Sequence, residues 1–185
     1  MDVFKLRIET DENPGFLIDI EILAEQTFLE LHNFLVKTLR LKPNELASFY
    51  VSDENWEKFE EITLLDMSGE EDKLMSEHDD VHTIYLMSAT PVSKFISDIN
   101  QNLVYEYDFL QLHTFLIECV EVKQEDKRMK YPRVAGQKGT FTVVNRINIE
   151  KDPEKLRESL LKDFNSIVSG DMDDVDDDDD LSEDF

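Results

Sequence analysis

The chain has 185 residues, 43 acidic against 19 basic, and a formal net charge of −24, with one cysteine, Cys119. Such a surplus of carboxylates repels phosphate and argues against counterion-release binding to nucleic acid. A lone cysteine forms no internal disulfide, no run of about 18 apolar residues spans a bilayer, and the Met1 to Lys5 start lacks a secretion pattern, so the expectation is a cytoplasmic protein.

Phe4, Leu6 and Ile8 alternate with Lys5 and Arg7, the period of a half-buried strand. Asn13-Pro14-Gly15 turns the chain, and Phe16, Ile18, Ile20 and Ile22 alternate with Asp19 and Glu21, which predicts an antiparallel hairpin over residues 2–23. Thr27-Phe28-Leu29-Glu30 has the spacing of a capping box. It opens a helix whose Phe28, Leu31, Leu35 and Leu39 form an apolar stripe, with Pro43 as the stop.

Ala47, Phe49 and Val51 predict a short third strand, followed by a turn at Asp53-Glu54-Asn55 and a segment carrying Trp56. Residues 66–82 are polar and read as a long loop or an insertion. Thr83 to Met87 resumes as a strand, and Phe95, Ile96 and Ile99 after Pro91 suggest one short helix. The strongest β signal places Leu103, Tyr105, Tyr107 and Phe109 on one side of a strand and Phe115, Ile117 and Cys119 on one side of the next, a hairpin expected at the centre.

A loop punctuated by Pro132, Gly136 and Gly139 precedes an expected last strand over Thr140 to Ile147. Asp152-Pro153 then caps a helix whose stripe runs from Leu156 to Val168. The last fifteen residues hold ten of the acids, so 43 less 10 leaves 33 acids against 19 bases in residues 1–170. That tail has too little apolar surface to offset the entropy of ordering. The expected organisation is an α+β domain over 1–150, an amphipathic helix over 151–170 and a disordered acidic tail over 171–185. Strand, turn, strand, helix is a ubiquitin-like opening, although periodicity alone does not separate it from ferredoxin-like variants.

His78 and His82 lie four apart beside Asp79 and Asp80, a spacing that could hold a metal on a helix. No Glu stands where a metalloprotease base would sit, and the surroundings read as a solvated loop, so no metal or cofactor is expected. A metal-dependent hydrolase using these residues is the enzyme alternative, and the balance is against an enzyme. His32 borders the helix stripe and reads as a packed histidine. Cys119 shares its face with Phe115 and Ile117, where burial makes a thiol inert.

Glu106 and Asp108 are placed opposite the aromatic face, where two exposed acids mostly solvate a strand. Gly136-Gln137-Lys138-Gly139 is glycine punctuation without the strand-loop-helix context of a phosphate loop. Lys123, Lys127, Arg128, Lys130 and Arg133 form the best basic cluster, diluted by Glu125 and Asp126; it reads as a mixed loop rather than a phosphate site.

The alternating start, Leu31-His32 and above all Val104-Tyr105-Glu106-Tyr107-Asp108-Phe109 before an aliphatic strand resemble the plasmid pRiA4b ORF-3-like family from about Phe4 to about Gly139. The resemblance implies an α+β domain with no established activity; some members are described as passengers of insertion sequences. His32, Tyr105, Tyr107, Asp108 and Phe109 match the family's positions and are expected to be structural. Members often continue with Gly-Asp, a variable residue and Trp, where this chain has Leu110, Gln111, Leu112 and His113.

The leading expectation is a non-enzymatic, mobile-element-associated interaction module whose partner is a protein with a basic or hydrophobic surface. Glu183, Asp184 and Phe185 make an end similar to the acidic, Phe-terminated tails of single-stranded-DNA-binding proteins, without their penultimate Pro. The tail either docks a partner or only solubilises. A nucleic-acid-associated accessory factor of a mobile element is the third reading.

Overall fold

The structure is a computed structural model that describes residues 1–65 and 85–143. The chain divides into two compact units, Met1–Asn145 and Arg146–Phe185, of which the first contains every described residue. The expected strand at Thr83 to Met87 is described from residue 85 onward. The segment 66–82, the helix of 151–170 and the acidic tail lie outside the described residues.

Among the described residues eight strands build one sheet: β1 (Asp2–Glu9), β2 (Leu17–Leu23), β3 (Ala47–Ser52), β4 (Lys58–Thr63), β5 (Tyr85–Leu86), β6 (Asn102–Tyr107), β7 (His113–Gln124) and β8 (Arg133–Lys138). Their order is β5-β4-β3-β6-β7-β1-β2-β8. Among the described residues only the β4–β5 pair is parallel. The fold is α+β with strands dominant. The strand-turn-strand-helix opening is present, but an eight-stranded sheet in this order gives no support to the ubiquitin-like name.

Register explains the core. Ile18 pairs with Ile8, which pairs with Ile117, which pairs with Leu103, which pairs with Val51, so one apolar row crosses five strands. A parallel row runs from Phe115 through Tyr105 and Phe49 to Ile62. Alternation alone places these side chains on one face.

The helix α1 (Phe28–Leu39) covers that face, burying Phe28, Leu31, His32, Leu35 and Leu39. Its start is fixed by the predicted capping box: Thr27 Oγ1 accepts from the Glu30 N–H at 3.3 Å and Glu30 Oε2 accepts from the Thr27 N–H at 2.8 Å. Its end comes earlier than Pro43, at Arg40, which takes a left-handed φ of 55° and donates its N–H to the Val36 carbonyl. Phe28 packs its ring 5.1 Å from Phe49 and 6.3 Å from Phe95, tying helix, sheet and the segment after Pro91 together.

Several expectations need correction. After Pro91 there is one 3-10 turn, Val92–Lys94, with Ile96 buried but Ile99 exposed. The strand β4 was not legible, because four of its six residues are exposed and Lys-Phe-Glu-Glu shows no oily side. The last described strand is Arg133–Lys138 rather than Thr140 onward; residues 140–143 form no strand, and 144–147 lie outside the described residues. The Gly136 to Gly139 stretch is therefore mostly strand, not loop. Gly136 fits there because β8 is an edge strand whose pairing with β2 shifts register between Asp19 and Ile20.

Gly139 closes this edge at a φ of 72°, and a Cβ built on it would stand 2.7 Å from the Gly15 carbonyl oxygen. Gly139→Ala is expected to cost about 2 kcal/mol from positive φ and backbone collision together, read as a lower urea midpoint at unchanged slope. Beyond it, Asn13 and Thr142 exchange two 3.0 Å hydrogen bonds, and Phe141 packs against Phe16 and Phe115.

Candidate functional site

One end of the inner face is polar. Tyr107 ends β6 opposite His113, the first residue of β7, so both side chains belong to the buried face. Thr10 Oγ1 donates to the Thr114 carbonyl at 2.8 Å and draws the β1–β2 turn against the start of β7. That contact delivers Glu12, and His113 Nδ1 donates to Glu12 Oε2 at 2.8 Å. The two side chains are only 3% and 5% exposed, so the pair is sealed.

His32 enters from α1. Its Nδ1 shares a 2.9 Å hydrogen bond with the Tyr105 hydroxyl, and its ring lies edge-on to Tyr105 with centroids 6.0 Å apart. Burial lowers the His32 pKa below its ordinary value and raises that of Tyr105 well above, so both groups are neutral near pH 7. The Tyr107 hydroxyl, buried and without a hydrogen-bond partner among the described residues, is pushed up to about 12 by burial and by Glu45 and Asp108.

The His32 shift has a pH signature. Protonation favours the unfolded chain, whose histidine titrates near 6.5, so stability from this group is complete above that value and declines as pH falls toward the lower folded pKa. The urea midpoint should therefore fall between pH 7.5 and pH 5.5 in the parent protein, and His32→Asn should flatten that slope.

The other sequence candidates separate. Glu106 and Asp108 share no exposed face: Glu106 binds Lys58 Nζ, whereas Asp108 leaves the strand at a φ of 54° and is buried. Its Oδ1 accepts from the N–H groups of Leu110 and Gln111, both at 3.2 Å, a side-chain-locked turn. Phe109 does not continue the aromatic face of β6. It sits in that turn, 45% exposed.

Cys119 is buried, and burial pushes its thiol up to about 11, out of the range of a nucleophile. The basic cluster does not converge on a phosphate site. Lys123 and Arg133 are strand residues that grip one buried carboxylate, Glu21, at 2.5 and 2.6 Å, and Arg128 turns onto Asp126. Burial alone would raise the Glu21 carboxyl, but the hydrogen bonds from these two cations outweigh it and hold the group below its ordinary value.

His78, His82, Glu183, Asp184 and Phe185 lie outside the described residues. Among the described residues no three His, Cys, Asp or Glu side chains gather as metal ligands, and no helix is long and apolar enough to cross a membrane. Two pockets lie near the start of β2, and Phe16 lines both. One, about 300 Å³, is lined by Glu9, Asp11, Leu17, Leu116 and Lys138 among others; the second, about 250 Å³, lies between Arg40, Gln137 and Phe141. Neither includes His113 or His32.

The His113–Glu12 pair was missed in the sequence. His113 stands two residues before Phe115 and continues its buried alternation, so its face was readable; Glu12 sits in a turn, where no period marks a buried side chain. The arrangement orients a histidine as an acid–base site would, but with both side chains sealed and neither lining those two pockets it serves as a polar clamp holding two loops together.

No curated protein matches the chain. A crystal structure of a protein of unknown function from Methanosarcina mazei Go1 is similar in fold, with a TM-score of 0.59 and 17% identity over 94% of this chain and 91% of that one. The profile of the family described as plasmid pRiA4b ORF-3-like protein matches residues 2–142, which takes in β1 through β8, the polar end and the Asp108 turn. This chain belongs to the plasmid pRiA4b ORF-3-like family.

Proposed function

We propose that the protein is a non-enzymatic interaction module that uses an anionic surface to engage a protein partner with a basic or hydrophobic face. The observation that supports it most is the fate of the cations. Lys5, Arg7, Lys58, Lys123, Arg128 and Arg133 are each within ion-pair distance of a carboxylate of the same chain. Their charge is balanced within the fold, while the sequence as a whole carries 43 acids against 19 bases. Such a surplus accelerates encounter with cationic partners and repels nucleic-acid phosphate.

Glu183 and Asp184 add to the acidic composition, and Phe185 beside them supplies an aromatic. The test immobilises the full chain and a form ending at residue 170 against a lysate of the native cell, with labelled duplex DNA as a second analyte. Retained proteins should be basic and released by salt, and the shortened form should retain less of them. Salt-sensitive retention of the DNA instead would replace this reading with the accessory-factor one.

A further inference from the structure

We infer that the β6–β7 turn is the apolar anchor by which this protein seats on a basic, amphipathic partner segment, an inference that rests on the anionic-module reading above. Phe109, Leu110 and Leu112 are 45%, 70% and 42% exposed, three large apolar side chains within four residues. Single exposed apolar residues are ordinary on a protein surface, but a cluster at the tip of one turn is not.

The turn is also held rigid. Besides the two bonds to its carboxylate, the Asp108 carbonyl accepts from the N–H groups of Gln111 at 2.9 Å and Leu112 at 2.5 Å, and the Asp108 N–H donates to the Leu46 carbonyl at 2.9 Å. These bonds hold Asp108 and Leu112 at φ of 54° and 49°. Asp tolerates that region, whereas for Leu it costs about 1 kcal/mol. A turn that only joined two strands would relieve this with glycine. The consequence of the strain is a fixed presentation of Phe109 and Leu110, so little conformational entropy is lost when a partner covers them.

Charge selects the occupant. The Leu46 carbonyl accepts from the Asp108 N–H, which puts Glu45, the preceding residue, at the base of the turn, near enough to act on the Tyr107 hydroxyl. Asp11 stands exposed in the neighbouring β1–β2 turn, which is bound to the start of β7 through Thr10. An apolar tip set among carboxylates complements a segment that alternates apolar residues with Lys or Arg, and repels an acidic one.

The test uses two synthetic peptides of equal positive charge, a leucine/lysine amphipathic helix and its serine/lysine counterpart, titrated into the full chain. The leucine/lysine peptide should bind about tenfold more tightly, the scale set by covering two partly exposed apolar side chains. Phe109→Ser with Leu110→Ser should erase that preference while leaving serine/lysine binding unchanged and lowering the melting temperature by only a few degrees. Asp108→Ala, which keeps the apolar side chains but frees the turn, should weaken leucine/lysine binding alone, and Asp108→Asn should restore it. Equal binding of both peptides, or a preference that survives the double substitution, overturns the anchor while leaving the anionic reading standing; binding of neither overturns both.

Discussion

Glu12→Ala is expected to lower the unfolding free energy by about 3 kcal/mol, because it strands a sealed histidine. Glu12 and His113 come from elements far apart in sequence and meet at 2.8 Å with almost no exposure. Water cannot replace the lost partner. The pair itself is worth less than its breakage costs, since its formation already required desolvating both groups. Glu12→Gln, which keeps an acceptor for His113 Nδ1, should therefore cost only about 1 kcal/mol, and replacing both residues by leucine should recover much of the alanine loss. Urea unfolding at neutral pH reads all three. A cost for Glu12→Ala below about 0.5 kcal/mol, the level of an ordinary surface change, would mean that the β1–β2 turn opens freely and that the clamp does not hold it.

This pair also marks where reading a sequence runs out. Strands β1, β2, β3, β6 and β7 were legible because each alternates, and α1 because Thr27 and Glu30 announce it. Alternation encodes a half-buried face, so it fails where that condition fails. The strand β4 is mostly exposed and β8 is an edge strand containing a glycine, so both were hidden, the second behind a pattern that imitates a loop. The candidate site fails for a different reason. Glu12 and His113 are 101 positions apart, and no local period encodes a contact across that distance. Conversely, Phe109 was drawn into the aromatic face by counting in twos, because Asp108 leaves the strand one residue earlier than the alternation implies. An aspartate that accepts from two following N–H groups is a turn signal, and it takes precedence over periodicity.

Phe49→Ala and Phe109→Ala should differ by about 3 kcal/mol, although they remove the same atoms. Phe49 is fully buried, stacked 4.4 Å from Tyr105 and 5.1 Å from Phe28, so its loss opens a cavity between helix and sheet worth about 4 kcal/mol. Those rings cannot collapse into the space, since Tyr105 is tethered to His32 and Phe28 begins the capped helix. Phe109 has no ring contact among the described residues and is 45% exposed, so its replacement should cost only about 1 kcal/mol. Thermal and urea unfolding of the two variants decide between the meanings of an aromatic at this end of the sheet. A Phe109→Ala loss approaching that of Phe49→Ala would make the turn part of the core and remove the apolar anchor. A stable Phe109→Ala protein with a collapsed Phe49→Ala protein leaves a tip whose hydrophobic surface contributes little to folding and can be covered by a partner.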